Sequence, residues 1–277
     1  MLGAAAVREL LDRHGIEPSR ALGQNFVVDP NTIERIVRAA GVGAGDRVVE
    51  IGPGVGSLTT GLLEAGAEVV AIELDQHLIP ALSEAVSSEA GEEAPFEVVH
   101  GDANDIDWAD FFAGREQSRW KLVANLPYNV AAPVVLRALD EAPQIAEVLV
   151  MVQREVAERL AAGPGSATYG IPSVKVAYWG SAEVVGKVPA SVFHPVPKVE
   201  SALVRIVRAE RPATDADADV VFDLVRRAFG QRRKMLRRSL SGAIDAAGFE
   251  AADVPETARP QDLDIAAWGR LAEQARR

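Results

Sequence analysis

Short apolar runs alternate with helical patterns between residues 46 and 162, and this alternation constrains the fold more than any other feature. Each run is only a few residues long and rich in Val and Ile, which favours buried strands. Strands that alternate with helices imply right-handed crossovers and a mostly parallel sheet covered on both faces. We therefore predict an α/β fold. The predicted strands cover residues 47–51, 68–72, 96–100, 121–125 and 146–152, and the predicted helices cover residues 5–14, 77–89, 132–140 and 154–162, with one more beginning near residue 58.

The chain changes character near residue 210, where a polar segment with alternating Ala and Asp indicates a linker. Before it, residues 174–186 and 198–207 have strand patterns, and residues 188–197 are too rich in proline for a strand. After it the patterns are helical. We therefore predict two domains, residues 1–209 and a small all-helical C-terminal domain at residues 210–277. The predicted C-terminal helices cover residues 220–229, 231–247 and 264–275.

Composition excludes several classes of site. The chain has no cysteine, which excludes disulfides, thiolate zinc sites and a cysteine nucleophile. Its four histidines lack the spacing of metal ligands, so we expect no metal. No apolar run approaches the ~20 residues that span a bilayer, and the N-terminal region lacks the layout of a signal peptide. We therefore expect a cytoplasmic protein without a membrane partner, and the absence of any dimer signal leads us to expect a monomer.

A glycine-rich turn, Gly52-x-Gly54-x-Gly56, follows the first predicted strand and precedes a helix. Glycines at such a turn allow the backbone to approach a ligand closely, and the start of a helix favours electron-rich groups. Dinucleotide enzymes share this layout, but the position of their usual third glycine holds Ser57 here. The spacing therefore suits S-adenosylmethionine better than a pyrophosphate, while a tight turn without a ligand stays as the alternative.

Two acidic residues stand at the ends of the next two predicted strands. Glu73 ends the second strand, where an acidic residue can bind the two hydroxyls of a ribose. Asp102 follows the third strand and could accept a hydrogen bond from the adenine amine of the cofactor; an exposed turn or a helix cap is its alternative role. Ligands bind along this edge of open parallel sheets. The glycine turn and both acids therefore indicate one nucleoside-binding site.

The fourth predicted strand ends in Asn125-Leu126-Pro127-Tyr128. The Asn125 amide oxygen and a backbone carbonyl at Leu126 or Pro127 could accept both hydrogens of an amine and localise its lone pair. The proline fixes the direction of that carbonyl in advance, and Tyr128 could stack on a flat base. Taken alone, this turn could equally serve cytosine, a DNA adenine or a glutamine side chain, or be a simple strand end.

A basic segment at residues 226–238 contains seven basic residues and no acidic one, within a chain of net charge −11. A solvated helix face usually mixes both signs, whereas a patch of one sign can neutralise phosphates. We interpret the segment as an RNA-binding surface, and a solvated or acid-paired face is the alternative. Its basic residues are Arg226, Arg227, Arg232, Arg233, Lys234, Arg237 and Arg238.

Taken together, these motifs resemble those of the ribosomal RNA adenine N6-dimethyltransferases. The resemblance extends in order over about residues 18–240 and is closest to the KsgA type, which dimethylates two adjacent adenines in a hairpin near the 3′ end of small-subunit rRNA. The motifs that carry it are Gly23-Gln24-Asn25-Phe26, Glu50-Ile51-Gly52-Pro53-Gly54, Glu73-Leu74-Asp75, Gly101-Asp102-Ala103, Asn125-Leu126-Pro127-Tyr128, Met151-Val152-Gln153-Arg154-Glu155-Val156, Tyr169-Gly170 with Ser173-Val174, and Phe193-His194-Pro195-Val196-Pro197-Lys198-Val199.

The resemblance implies a Rossmann-like S-adenosylmethionine-dependent methyltransferase domain that acts on 16S rRNA in a pre-30S particle. It implies cofactor contacts from Asn25, from the backbone of Val27 and from Asn125, and it makes Phe193 a second aromatic that sandwiches the adenine against Tyr128. Two alternatives stay open: a 23S rRNA methyltransferase of the erythromycin-resistance type, and a ribosome-assembly factor without catalytic activity.

The sequence departs from the family pattern at three places. Val27 replaces the usual Leu, which is harmless if the backbone makes the contact. Ala131 and Ala132 lack the hydroxyl groups common there, which puts any side-chain role at those positions in doubt. Pro172 stands where Leu is usual, and the sequence offers no account of it.

Overall fold

A computed structural model describes residues 1–115 and 119–275 of the chain. The chain divides into two compact units. The first comprises Met1–Ala157 and Glu183–Val207, and the second comprises Glu158–Ala182 and Arg208–Arg277.

The centre of the α/β fold is a seven-stranded sheet with the strand order β4 (Phe96–His100), β3 (Glu68–Glu73), β2 (Arg47–Ile51), β5 (Trp120–Asn125), β6 (Ile145–Gln153), β9 (Ser201–Arg208) and β7 (Gly180–Val188). The strands from β4 to β6 pair in parallel, and β9 pairs antiparallel with β6. Each of the five predicted parallel strands is confirmed to within one residue at either end.

Burial explains why these runs become strands. In β3 and β5 the Val, Ile, Leu and Ala side chains are buried almost throughout, because helices cover both faces of the central strands. The edge strand β4 is only partly buried and is correspondingly more mixed in sequence. Helix α2 (Pro30–Ala39) packs Ile33 and Ile36 against this core.

The helices predicted between residues 5 and 162 are all present. Asp29 caps α2 by accepting a hydrogen bond from the Thr32 N–H at 3.0 Å, and Pro30 occupies the first helical position, where its missing N–H costs nothing. The short helix α5 was not predicted. The helices are α1 (Ala4–Arg13), α2 (Pro30–Ala39), α3 (Ser57–Glu64), α4 (Ile79–Ala90), α5 (Trp108–Phe112), α6 (Ala131–Glu141), α7 (Arg154–Leu160), α8 (Ile171–Trp179), α9 (Ala218–Phe229), α10 (Leu236–Ser239), α11 (Ala246–Ala251) and α12 (Ile265–Glu273).

Strand β9 begins where the parallel strands end. Ser201, its first residue, pairs with Gln153 at the end of β6, and Asn125 at the end of β5 pairs with Met151. The antiparallel direction of β9 therefore brings the segment before residue 201 to the same sheet edge as Asn125.

Two short segments, one of them in the proline-rich range 188–197 where we predicted no strand, pair as a small second sheet. Strand β1 (Phe26–Val27) runs antiparallel to β8 (Phe193–His194), with Val27 opposite Phe193. Prolines restrict β8 to two residues but do not prevent the pairing. This sheet fixes the N-terminal loop within the first unit.

The second unit holds its own apolar core. Buried side chains from α8, α9 and α12, including Tyr178, Phe222 and Trp268, pack into one cluster. The prediction of a strand over residues 174–186 is wrong in its first half, since α8 occupies residues 171–179 before β7 begins. Gly170 is the N-cap of α8 and Pro172 lies in its first turn, where a missing N–H costs nothing. This position gives Pro172 the role that the sequence left unexplained.

The predicted helix over residues 231–247 is also wrong, because turns divide this range into α10 and the approach to α11. Gly242 has a φ of +84° and Asp245 starts α11 as its N-cap, so one continuous helix cannot form. The predicted helices near 220–229 and 264–275 are confirmed as α9 and α12. Residues 158–182 belong to the second compact unit, whereas the predicted boundary at residue 209 assigns them to the first domain. The division into two functional domains at residue 209 stays a prediction.

Within residues 1–115 and 119–275, no helix is both long and apolar enough to cross a bilayer. The same residues contain no group of three or more His, Cys, Asp or Glu side chains that could hold a metal ion.

Candidate active site

An open cavity lies at the carboxyl ends of β2, β3 and β5, within the first unit. Its empty space, counted together with the open solvent at its mouth, is about 1080 Å³. Of the residues predicted to bind the cofactor or the target base, all but Phe193 line this cavity. Those that do are Asn25, Val27, Gly52, Gly54, Glu73, Asp102, Asn125, Leu126, Pro127 and Tyr128.

The glycine turn between β2 and α3 forms one wall of the cavity. Gly54 has a φ of +61°, and a Cβ at this position would lie 2.8 Å from the ring of Phe26. Gly56 has a φ of +92° and is the N-cap of α3. Only glycine fits such a conformation without strain, so the turn keeps its backbone open to the cavity.

Glu73 is held at the end of β3 by two backbone donors. The Gly54 N–H and the Asp75 N–H donate to its carboxylate at 3.1 and 2.9 Å. Only 5% of Glu73 is exposed, and this burial raises the pKa of its carboxyl group above the ordinary value. A buried acceptor with fixed direction is suited to bind hydroxyl donors such as those of a ribose.

Glu50 is a cavity residue to which our sequence reasoning gave no role. It is buried at the end of β2 and accepts a hydrogen bond from the Thr59 hydroxyl at 2.7 Å. Burial raises the pKa of Glu50 to about 8, with the charge of Glu73 acting in the same direction. Its place at the end of the strand, two residues before Gly52, was the signal that could have identified it.

Asp102 keeps one carboxylate oxygen available. Its Oδ1 accepts from the N–H and the side-chain amide of Asn104 at 2.8 and 2.9 Å. Its Oδ2 has no hydrogen-bond partner within the described part of the chain. Asp102 can therefore accept from an amine in the cavity.

The loop before β1 is attached to both sides of the cavity. The Gln24 amide donates to the Asp75 carboxylate at 2.9 Å, near the end of β3. On the other side, the Asn125 side-chain amide donates to the Asn25 carbonyl at 3.0 Å. The segment Gly23-Gln24-Asn25, which the sequence alone left without a structural role, thus joins the two halves of the site.

The turn after β5 has a defined set of free acceptors. Because the Asn125 amide nitrogen donates to Asn25, its Oδ1 is left to accept a hydrogen bond. The Pro127 carbonyl already accepts a hydrogen bond from the Val130 N–H at 3.2 Å. Leu126 is anchored through its N–H, which donates to the Met151 carbonyl at 3.1 Å. Of the two carbonyls that we considered, that of Leu126 is therefore the better candidate for a substrate amine.

Tyr128 is fixed by a residue that the sequence did not identify. Its phenol oxygen lies 2.7 Å from the hydroxyl of Ser201, which is fully buried. Burial of Tyr128 raises the pKa of its phenol, so the group stays neutral. No local pattern marks Ser201, because its position follows from the antiparallel direction of β9.

Phe193 does not lie where its predicted role requires. Its side chain is 2% exposed and packs in the core with Val27, Val123 and Leu203. In this conformation the ring cannot stack on a base. Its pairing with Val27 places it behind the cofactor loop, and the stacking role stays a prediction that requires the ring to become exposed.

The seven basic residues of the predicted RNA-binding surface lie in the second unit and fall into two groups. Arg232 donates to two backbone carbonyls of the same unit, and Arg227 and Arg237 form ion pairs with Asp223 and Glu256. The other four are exposed and have no ion-pair partner among the described residues: Arg226, Arg233, Lys234 and Arg238.

A mostly parallel sheet with an antiparallel β9, a glycine turn and an acid at the end of β3 defines a class of protein. This is the Rossmann-like class of S-adenosylmethionine-dependent methyltransferases. A family model described as "Ribosomal RNA adenine dimethylase" matches residues 17–275. The chain belongs to this family.

Similar proteins include two that are named "Ribosomal RNA small subunit methyltransferase A". The protein from Arthrobacter sp. (strain FB24) is 48% identical, and the alignment covers 99% of this chain and 92% of that protein. The protein from Nocardia farcinica (strain IFM 10152) is also 48% identical, over 99% of this chain and 96% of that protein.

Two solved structures share the fold. The 23S rRNA methyltransferase ErmE is 27% identical with a TM-score of 0.67, covering 90% of this chain and 99% of that one. A dimethyladenosine transferase from Plasmodium falciparum has a TM-score of 0.73 at 23% identity, covering 89% of this chain and 98% of that one, and supports the fold alone.

Proposed function

We propose that this protein transfers methyl groups from S-adenosylmethionine to N6 of two adjacent adenines in the 3′-terminal hairpin loop of 16S rRNA during small-subunit biogenesis. Membership of the adenine dimethylase family supports the reaction, and the names of the two relatives support the small subunit. The observation that carries the proposal is the bond between the Asn125 amide and the Asn25 carbonyl, which leaves the Asn125 Oδ1 as an acceptor in the cavity.

The residues present fit S-adenosylmethionine. Glu73 would accept from the ribose hydroxyls, and the free oxygen of Asp102 would accept from the adenine amine. The backbone at Gly52 and Gly54 is open to the ligand because neither residue has a side chain. Asn25 and the backbone of Val27 line the same cavity. When bound, this cofactor supplies an activated methyl group on a sulfonium.

The turn after β5 would activate the target amine. An adenine amine is a poor nucleophile because its lone pair is delocalised into the ring. The Asn125 Oδ1 and the Leu126 carbonyl would accept its two hydrogens and localise that lone pair, and both acceptors are held in place before the base arrives. No strong base is required, because the nitrogen becomes acidic only after alkylation. Tyr128, fixed by Ser201, would stack on the base.

Dimethylation adds a requirement to this geometry. After the first methyl transfer the nitrogen keeps one hydrogen, so one of the two acceptors suffices. The other acceptor must then leave room for a methyl group. We infer that the turn holds the same adenine twice, first as the amine and then as the monomethylamine.

The exposed group of the basic segment would bind the RNA backbone. We infer that Arg226, Arg233, Lys234 and Arg238 contact phosphates, because they are exposed and have no acidic partner among the described residues. Arg227, Arg232 and Arg237 have intramolecular partners, so their part in RNA binding would be smaller. A pre-30S substrate makes the cytoplasm the expected location, and a monomeric state stays our prediction.

The alternative substrate is large-subunit rRNA, because the chain is also similar to the 23S rRNA methyltransferase ErmE. Purified protein and a donor with a labelled methyl group are incubated separately with undermethylated pre-30S particles and with 23S rRNA. We expect label in the small-subunit RNA alone. Label confined to 23S rRNA would favour the erythromycin-resistance type, and no label in either RNA would favour an assembly factor.

A further inference from the structure

A seven-residue segment, residues 194–200, joins two parts of the cavity wall. Directly before it, Phe193 pairs with Val27, and directly after it the hydroxyl of Ser201 lies 2.7 Å from the phenol oxygen of Tyr128. Val27 and Tyr128 both line the cavity. We call residues 194–200 the bridge. Because both of its ends are attached to the cavity wall, the bridge lies beside the place that we propose for the target base.

The bridge is restrained along its length. Pro195 and Pro197 fix the backbone φ angle at two of its positions. Glu200 is attached to Arg154, the first residue of α7, at two points. Its carbonyl accepts from the Arg154 N–H at 3.0 Å, and its carboxylate accepts from the Arg154 guanidinium at 2.7 Å. The one acidic side chain of the bridge is therefore paired with a cation.

Apart from Glu200, the exposed side chains of the bridge are apolar or basic. Val196 is 65% exposed, the highest fraction among the large apolar side chains that the structure describes, and Val199 is 45% exposed. Lys198 lies between them in sequence, is exposed, and has no ion-pair partner in the described ranges 1–115 and 119–275. Single apolar side chains on a surface need no explanation, but two in one restrained segment beside a binding cavity indicate a contact site.

The chemistry of base flipping indicates which ligand suits this surface. An adenine that leaves its stack to enter a cavity exposes the faces of its neighbours, and this loss of stacking opposes the flipping. Proteins that open a base step often place aliphatic or proline side chains against the exposed faces. A lysine beside such side chains can pair with a phosphate of the same strand.

We propose that the bridge binds the nucleotide next to the target adenine, with Val196 and Val199 against its base and Lys198 against its phosphate. This inference rests on the proposed function and adds to it a second nucleotide site, outside the cavity. The partner is an unstacked nucleotide of the rRNA hairpin loop and not a protein.

The chain has no cysteine, which allows a direct test. Val196→Cys introduces a single thiol, and a photoactivatable azidophenacyl group is attached to it. The labelled protein is bound to undermethylated pre-30S particles together with S-adenosylhomocysteine and irradiated, and reverse transcription maps the cross-links on 16S rRNA. We expect a cross-link in the 3′-terminal hairpin loop, at a nucleotide next to a target adenine.

Val207→Cys is the matched control for the cross-link. Val207 is also an exposed valine of the first unit, but it lies at the other end of β9 from Ser201, opposite Glu147 near the start of β6. The same photoactivatable group at this position should give no cross-link in the hairpin loop.

The rate of methylation gives an independent readout. Val196→Ser combined with Val199→Ser should lower the single-turnover rate about tenfold, as for the loss of apolar contact from two side chains. Both side chains are exposed, so the Tm and the Kd for S-adenosylhomocysteine should not change. Val207→Ser should leave all three quantities unchanged.

The outcomes separate this inference from the function on which it rests. Cross-links from position 196 that reach only other regions of 16S rRNA, or only a ribosomal protein, would overturn the nucleotide site. Equal cross-linking of the hairpin loop from positions 196 and 207 would also overturn it, as would an unchanged methylation rate in the double variant. If the unaltered protein methylates no adenine in the particles, the proposed function itself fails.

Discussion

The cavity of the first unit and the basic segment of the second hold their functional side chains in opposite ways. Asn125 and Tyr128 are partly buried and each is fixed by a hydrogen bond, to Asn25 and to Ser201. Arg233 and Lys234 are exposed and have no ion-pair partner among the described residues. Proposed methyl transfer requires acceptors with fixed directions, whereas phosphate binding requires charge that can adapt to its partner. The rigidity of each region therefore matches the work that we propose for it.

This comparison also explains how a chain of net charge −11 could bind RNA. The acidic residues at the sheet edge are buried or hydrogen-bonded and suit the cofactor. The basic residues are concentrated in one exposed segment, so the local field there differs in sign from the average.

The largest effect should come from the fixed region. Asn125→Ala removes one acceptor for the amine and the bond to Asn25, so kcat should fall about a thousandfold, as for loss of a preorganised group at a reacting centre. Single-turnover methylation of pre-30S particles measures it. Asn31→Ala, which removes an exposed asparagine of α2, is the control and should keep full activity. A kcat of Asn125→Ala within tenfold of that of the unaltered protein would contradict the proposed activation of the amine by Asn125.

A smaller effect should come from the exposed region, and it should appear in RNA binding and not in kcat. Arg233→Ala combined with Lys234→Ala should raise the Kd for RNA about tenfold and reduce the salt dependence of binding by about one to two ion equivalents, with unchanged donor binding. Filter binding at several salt concentrations measures both. The control is Arg8→Ala with Arg38→Ala, which removes two exposed charges from the first unit. An equal loss of RNA affinity in both double variants would mean that RNA binding depends on the net charge of the protein and not on the basic segment.

The support of Tyr128 should matter less than Asn125. Ser201→Ala leaves the phenol without its partner, so kcat should fall about fivefold while the Kd for S-adenosylhomocysteine stays the same. Tyr128→Phe should have a similar effect, and the double variant should be no worse than Tyr128→Phe alone, because Ser201 acts through the phenol. Additive losses in the double variant would show that Ser201 has a separate role.

Glu50 should give the smallest effect, in the pH dependence of stability. Burial raises the pKa of Glu50 to about 8, so the native state retains a proton that the unfolded chain releases near the ordinary value for Glu. The stability from this group is complete below that ordinary value and is lost as the pH rises through about 8. The Tm of Glu50→Gln relative to the unaltered protein should therefore rise by a few degrees between about pH 6 and about pH 9. Glu73 is present in both proteins, so the comparison isolates Glu50. A Tm difference that stays constant over this pH range would show that Glu50 is already ionised.

The parallel strands and the residues at their ends could be predicted from the sequence, because both depend on local patterns. The run before Asn125 ends at a proline, and the glycine turn directly follows a strand, so their shared sheet edge was predictable. The contact of Ser201 with Tyr128 could not be predicted, because only the antiparallel pairing of β9 brings Ser201 to this edge.

Other differences come from tertiary burial that outweighs local propensity. The alternating apolar residues before Trp179 favour a strand, yet they form α8 because the second unit buries them on several sides. Phe193 lies between prolines in a segment that we took for a loop, and its pairing with Val27 places it in the core. The basic segment keeps its charges, but the helix predicted over residues 231–247 does not form as one element, since Gly242 has a positive φ and Asp245 caps a new helix.

The most direct test of the central claim is the identity of the methylated nucleoside. Pre-30S particles are incubated with the protein and S-adenosylmethionine, and nucleosides from the 3′-terminal hairpin of 16S rRNA are followed over time by mass spectrometry. We expect N6-methyladenosine as a transient species and N6,N6-dimethyladenosine as the final product, both lost in Asn125→Ala. A methyl group on any other atom, or an end point at N6-methyladenosine, would contradict the claim.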